Sequence, residues 1–149
     1  MNLQNDNLYS KVEGMLYSYP KVKTEIENIK LDIEELNDIV GIKGGSNNYI
    51  KPTSPTNQFN SNVENEVIDR DENLPDKIAN LNRILRSKER FIKKMDNVLG
   101  LLKDEERKLI EMKYFKRDTF EHMAEVFGMS KDGVVKRRKS IILELMDIL

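Results

Sequence analysis

Apolar residues recur at alternating spacings of four and three residues after Pro20, and this rhythm constrains the fold more than any other feature. The seam comprises Val22, Ile26, Ile29, Ile33, Leu36 and Val40. Such a pattern is typical of a helix that buries one heptad stripe, and Pro20 can open a helix at its first position. Glu25 and Lys30 flank the seam at positions that would suit an interhelical ion pair, and the glycines of residues 41–45 end the seam. Residues 1–40 are therefore predicted to form an N-terminal helical or coiled-coil segment.

A second heptad pattern begins near Asp76 and is interrupted only at Lys88. It comprises Ile78, Leu81, Leu85, Ile92, Met95, Leu99 and Leu102. We predict a long connecting helix over residues 74–102 that packs on the first helix through the matching seams. Both a hairpin within one chain and a coiled coil in a homodimer fit these seams, and the sequence does not separate them. The basic residues of this helix fit a solvated face or, if the chain binds DNA, additional contacts to its backbone; they are Arg83, Arg86, Arg90, Lys93 and Lys94.

The two seams are separated by residues of a different character. Residues 41–60 are rich in Gly, Asn, Ser, Thr and Pro without a sustained period, which predicts a flexible linker. The Gly-x-x-x-x-Gly-Lys-Ser/Thr spacing of a phosphate-cradling loop is absent from it. Ser61 and Glu64 have the spacing of a capping box and predict a short helix through about Arg70. The linker with its short helix is thus expected over residues 41–73.

The residue inventory argues against an enzyme. The chain has no cysteine and a single histidine, which excludes disulfides and thiolate sites and leaves little for a zinc site. The pairs Glu34-Glu35 and Glu105-Glu106 are interpreted as solvated and first-turn acids of helices. His122 is interpreted as a surface residue or as a phosphate contact. We expect no catalytic residue, no metal and no cofactor.

Charge and hydropathy limit the partners. No stretch approaches the roughly 18 consecutive apolar residues that span a bilayer, and the first ten residues lack the basic-then-apolar layout of a signal peptide. We therefore expect a cytoplasmic protein without a membrane partner. The net charge of -1 conceals a local excess of positive charge, because residues 131–139 contain five Lys or Arg and one acid. This segment is therefore the surface expected to bind phosphate groups.

Residues 103–149 are predicted to form three short helices, so the expected fold is all-α. The first runs from about Glu105 to Phe115, Asp118 or Thr119 caps the second, and Ser130 caps the third. Two crossed helices need a small residue where they touch, a glycine in the turn and apolar residues around both. The spacing therefore predicts a helix-turn-helix, with a plain three-helix bundle as the alternative. Its core residues are Met123, Ala124, Phe127, Gly128 and Val134.

The third helix of this segment carries the predicted DNA contacts. With Val134 as the buried direction, about 100° per residue places Asp132, Lys136 and Lys139 on the far face. Lys136 and Arg137 are predicted to reach bases or phosphates, and the other cations to hold the backbone. The predicted DNA-binding residues are Lys131, Lys136, Arg137, Arg138 and Lys139. A solvated face is the alternative, but four consecutive cations without an interleaved acid repel one another.

The end of the third helix is apolar almost all round, from Ile141 to Leu149. Leu143 lies opposite Val134, so a single buried stripe does not account for it. We expect the long helix or a second subunit to cover this end.

The segment Met123–Ser130, followed by Val134, resembles region 4 of bacterial sigma factors. Most of the chain resembles phage regulators of the ArpU and RinA type. These proteins share a Tyr-Pro opening before an N-terminal helix, a Ser/Pro-rich middle with a Val-Glu helix, and an Asp-x-x-Leu motif. The corresponding segments here are Leu16–Leu36, Ser54–Ile68 and Asp96–Leu99. The resemblance implies sequence-specific binding of double-stranded promoter DNA and activation of phage late genes together with the RNA polymerase of a bacterial host. The chain lacks a counterpart of the sigma region that reads the second promoter element, so independent promoter melting is not expected.

Two other functions fit the same features. A phage small terminase subunit also joins a helix-turn-helix to coiled-coil oligomerisation, and it binds DNA for packaging. A coiled-coil interaction module would use the helix-turn-helix only as structure, and it would show no salt-dependent affinity for DNA.

Overall fold

The computed structural model describes residues 3–44 and 73–149, and all regular secondary structure in these ranges is helical. The prediction of an all-α fold is confirmed. The helices are α1 (Leu3–Gly44), α2 (Leu74–Leu99), α3 (Asp104–Ile110), a π-helical segment (Glu111–Phe115), α4 (Phe120–Phe127) and α5 (Lys131–Met146). None of these helices is both long enough and apolar enough to cross a membrane. Most of the predicted linker and its short helix, residues 45–72, lie outside the described residues.

Helix α1 does not start at Pro20 as predicted but continues upstream to Leu3. The reason is a buried stripe that precedes the proline, in which Val12, Leu16 and Tyr19 repeat the spacing of four and three. Pro20 has no N–H to donate within the helix. Packing of the stripe on the core outweighs that loss. At the other end the described part of α1 extends to Gly44, within the predicted glycine cluster.

The described residues fall into two compact units, and the first joins Met1–Glu25 to Lys88–Leu149. Its core is one cluster of buried side chains drawn from α1, α2, α3, the π segment, α4 and α5. The fully buried members are Val12, Leu16, Met95, Leu109, Ile110, Tyr114, Met123, Val134, Ile141, Ile142 and Leu145. The start of α1 is therefore part of the same core as the three short C-terminal helices.

Within this unit α1 and α2 pair antiparallel in the same chain. The Tyr19 hydroxyl donates to Asp96, and Lys88 Nζ donates to Glu25 Oε2 at 2.6 Å. From Tyr19 to Glu25 the residue numbers of α1 increase, while those of the contacted residues of α2 decrease from Asp96 to Lys88, so the two helices are antiparallel. The predicted interhelical pair of Glu25 with Lys30 is not formed within the described chain, where Lys30 binds Glu27 of its own helix at 3.2 Å. The heptad spacing does not specify which basic residue of α2 lies opposite Glu25. That residue is Lys88, the position at which the heptad pattern of α2 is interrupted.

The second unit, Ile26–Ser87, contains the remaining parts of α1 and α2. Ile26 and Leu74 are buried, and the later seam residues Ile29, Ile33 and Leu36 are half-buried. Leu31, on the other side of α1, is exposed. The seam therefore marks the buried side of this helix as far as Leu36, with Val22 half-buried in the first unit. Its last residue, Val40, is 40% exposed and does not follow the prediction.

The predicted first helix of the C-terminal segment is divided into α3 and the π segment. The Lys103 N–H donates to Glu106 Oε2 at 3.1 Å and closes the start of α3. The π segment has i→i+5 pairing, in which the Lys116 N–H donates to the Glu111 carbonyl at 2.9 Å. Leu109, Ile110 and Tyr114 are all buried in the core.

Candidate nucleic-acid interface

Helices α4 and α5 are joined by a tight turn that local residues define. Thr119 Oγ1 accepts from the His122 N–H at 3.2 Å and caps α4, and Ser130 Oγ accepts from the Gly133 N–H at 3.1 Å and caps α5. Gly128 ends α4 in the left-handed conformation, with φ 61° and ψ 34°. The Met129 N–H then donates to the Ala124 carbonyl at 3.1 Å. Of the two predicted caps for α4, Thr119 and not Asp118 is the one used, while Ser130 caps α5 and Gly128 lies in the turn as predicted.

We expect alanine at Gly128 to destabilise the protein by about 1–2 kcal/mol, because an L side chain strains a left-handed backbone. Gly14 is the matched control. It lies inside α1, where an added Cβ would meet no atom within 4 Å. Gly14→Ala should stabilise the protein by up to about 1 kcal/mol, since glycine is the poorer helix former. Urea unfolding of the two variants measures both effects, and equal stability changes would contradict the turn geometry.

The side chains predicted to hold the two helices together lie in the core. Met123 and Val134 are fully buried, while Ala124 and Phe127 are half-buried against the same cluster. Gly128 itself is exposed at the turn. The buried contacts therefore set the position of α5 against α4, and the turn sets its direction.

Helix α5 has one buried and one exposed side. Val134, Ile141 and Leu145 are buried, whereas Lys136 and Lys139 on the opposite side are exposed. In the described part of the chain neither lysine has an acidic partner. Asp132 lies on the same face, near its N-terminal end. The exposed face of α5 therefore carries two lysines that form no ion pair with a described carboxylate.

Two further predicted cations lie at the edges of this face and have acidic partners. Arg137 Nη2 is 3.3 Å from Glu106 Oε1 of α3. Lys131 pairs closely with Glu121 of α4, and this contact lowers the pKa of the Glu121 carboxyl and raises that of the Lys131 ammonium. Both cations are about half exposed, so a phosphate group can reach them.

Arg138 does not flank the exposed face as predicted; it turns toward α1. It follows Val134 by four residues, which places it only about 40° from the buried direction. Its Nη1 lies 3.3 Å from Glu13 Oε1, and its guanidinium lies 5.3 Å from the Phe120 ring. One fifth of the side chain is exposed. Arg138 therefore connects α5 to α1 and α4.

Glu13 is the residue at this connection that the sequence analysis missed. The Tyr114 hydroxyl donates to Glu13 Oε1 at 2.6 Å, the same oxygen that faces Arg138. Burial of the phenol, together with this carboxylate, raises the Tyr114 pKa well above its ordinary value. The available signal was the apolar stripe of Val12 and Leu16 before Pro20, which places the neighbouring Glu13 beside a buried surface.

The apolar end of α5 is covered by the preceding helices only on one side. Ile141, Ile142 and Leu145 are buried in the cluster that contains Met95 and Val98 of α2. Lys94 Nζ donates to the Leu149 carbonyl at 3.2 Å. Leu143 is 40% exposed, so the expected cover over this residue is not present in the described chain.

The described residues contain no group of three His, Cys, Asp or Glu side chains that could hold a metal ion. His122 is half exposed, with Nδ1 3.4 Å from Asp118 Oδ1. The arrangement at α4 and α5 is thus a positively charged, exposed helix face on an apolar support.

No protein-family model matches the chain, and no curated protein or solved structure is significantly similar to it.

Proposed function

We propose that this protein binds double-stranded promoter DNA in a sequence-specific manner through α5 and regulates transcription. The observation that carries the proposal is the exposed face of α5, where Lys136 and Lys139 project without an acidic partner in the described chain. Unbalanced cations next to each other on one helix repel, and an anion such as DNA phosphate relieves that repulsion.

The apolar packing behind α5 leaves its charged face available for insertion into DNA. The major groove is about 12 Å wide and admits an α-helix. Helix α5 is held from behind by Val134, Ile141 and Leu145, so its charged face can enter the groove without loss of core contacts. In this arrangement Lys136 and Arg137 lie toward base edges, and Lys131 and Lys139 toward the backbone. Arg138 is left out of the contact set because Glu13 engages it.

The regulatory role rests on the resemblance to sigma region 4 and to ArpU- and RinA-type phage regulators. On this proposal the protein activates phage late genes by binding near a promoter and assisting the RNA polymerase of its bacterial host. It acts by binding and not as an enzyme. A small terminase subunit shares the DNA-binding step, so the genomic position of binding discriminates the two functions.

The test is chromatin capture of the tagged, full-length protein in its native host. We expect a sharp peak at a promoter for the wild type and its loss in Lys136→Ala/Arg137→Ala. A second variant, Lys136→Ala/Lys139→Ala, touches no ion pair of the described chain and separates DNA binding from folding. The control is Lys21→Ala/Lys30→Ala, which removes the same charge from the exposed side of α1.

Each outcome has a distinct meaning. A promoter peak that both α5 variants lose and the control keeps supports the proposal. Enrichment over a packaging site would assign the protein to the terminase function instead. No enrichment of the wild type anywhere would overturn DNA binding and leave the interaction module.

A further inference from the structure

Glu106, an acidic residue of α3, is held at the edge of the exposed face of α5 by two contacts. Its Oε2 accepts from the Lys103 N–H at 3.1 Å, and its Oε1 lies 3.3 Å from Arg137 Nη2. Only 12% of the Glu106 side chain is exposed. Because the start of α3 occupies one oxygen, the other oxygen is kept beside the guanidinium of Arg137.

The second ion pair at the edge of this face is of a different kind. Lys131 pairs with Glu121 of α4, whose side chain is 63% exposed. A lysine ammonium is a point charge on a flexible stem, and exposed pairs of this kind contribute little to fixed geometry. Of the two pairs, the one at Glu106 therefore combines a restrained carboxylate with a planar cation.

The orientation of an arginine decides what it can recognise in DNA. Its guanidinium presents five N–H donors in one plane, and it selects guanine when two of them meet O6 and N7 of that base together. An arginine that is free to change rotamer also binds phosphate oxygens, which carry no sequence information. Contact with Glu106 through Nη2 restrains the guanidinium of Arg137, and 46% of this side chain remains exposed for DNA.

The charge of Glu106 acts in the same sense as its position. A carboxylate beside Arg137 repels the phosphates of DNA, and phosphate contacts supply most of the affinity for nonspecific sequences. The edge of a base carries no net charge, so Glu106 opposes a base contact of Arg137 less than a phosphate contact. The neighbouring Arg138 does not take over this contact, because Glu13 engages it.

We propose that Glu106 is a positioning residue for sequence recognition, which orients Arg137 toward base edges and weakens the binding of this arginine to phosphate. The inference rests on the proposed function, in which Arg137 lies toward base edges. It adds a residue of α3 to the determinants of specificity, although Glu106 itself does not touch DNA.

The variant Glu106→Gln tests this role while it retains the start of α3. Glutamine also suits the third position of a capping box, so its amide oxygen can accept from the Lys103 N–H. The NH2 group of the amide then faces Arg137, and two donors do not bind each other. Glu121→Gln is the matched control, because it removes the same charge from the exposed pair.

The measurement is the ratio of affinities for two fluorescein-labelled duplexes of roughly 30 base pairs, about three helical turns. One duplex carries the sequence that the wild type selects from a random library, and the other has a mixed sequence without it. We expect Glu106→Gln to lower this ratio about tenfold, within the range of one oriented base contact. Glu121→Gln should keep the ratio within about twofold. Thermal unfolding checks that both variants remain folded.

A second background shows whether Arg137 transmits the effect. Arg137→Lys keeps the positive charge but lacks the planar fork, so Glu106→Gln should not change the ratio further in this background. An unchanged ratio for Glu106→Gln alone, even with both affinities reduced, would indicate a purely structural role. That result, or a further loss in the Arg137→Lys background, would overturn the inference and leave the proposed function intact. If the wild type selects no sequence, both proposals are overturned.

Discussion

Replacing Leu16 by alanine should lower the free energy of unfolding by about 3 kcal/mol, within the range of roughly 2–5 kcal/mol for large-to-small changes in a core. Leu16 is fully buried and belongs to the same cluster as Leu109 and Val134. Its side chain is thus removed from water by helices that include those of the C-terminal segment. Alanine would lose this burial and leave a cavity that the packed helices cannot close completely.

Leu31→Ala is the matched control, because Leu31 lies in the same helix and is 62% exposed. Its effect on stability should stay within about 0.5 kcal/mol, as for other surface substitutions. Urea denaturation followed by circular dichroism measures both, with an unchanged m-value as the check that the midpoint shift reports stability. Similar midpoints for the two variants would show that the start of α1 does not share a core with the C-terminal helices.

Replacing Glu13 by alanine should cost about 3 kcal/mol for a different reason. The change leaves the buried Tyr114 hydroxyl without its acceptor and the Arg138 guanidinium without its carboxylate. Unpaired buried polar groups cost roughly 1–3 kcal/mol each, and charged ones more. Arg138 is sensitive to this loss because its Nε is already buried without a hydrogen-bond partner among the described residues.

Two further variants show whether the charge pair is the cause. Glu27→Ala removes an acid that pairs with Lys30 in solvent, and it should change stability by no more than about 0.5 kcal/mol. Glu13→Ala/Arg138→Met should recover part of the lost stability, because it removes the guanidinium that Glu13→Ala leaves unpaired. Equal losses for Glu13→Ala and Glu27→Ala, or no recovery in the double variant, would contradict the role assigned to Glu13.

The ends of α4 and the start of α5 follow from local sequence. Thr119 and Ser130 cap the helices they precede, and Gly128 takes the positive φ that ends α4. These signals act within one helical turn, so they do not depend on which other segments are nearby. The heptad spacing likewise identifies the buried side of α1, since burial of one stripe follows from the helical period alone. For the same reason Lys136 and Lys139 were correctly placed opposite Val134 on α5.

The ion-pair partners of charged side chains depended on the tertiary structure. Glu25 meets Lys88 and not Lys30, and Arg138 meets Glu13 and not solvent. Each of these contacts joins residues far apart in the chain, and its distance is set by the register of packed helices. The pairing of α1 with α2 in one chain and the continuation of α1 through Pro20 arise in the same way, because burial of Val12, Leu16 and Tyr19 requires the core that the C-terminal helices supply. Local periodicity thus determined which side of each helix is buried, and only the packing of distant segments decided what it is buried against.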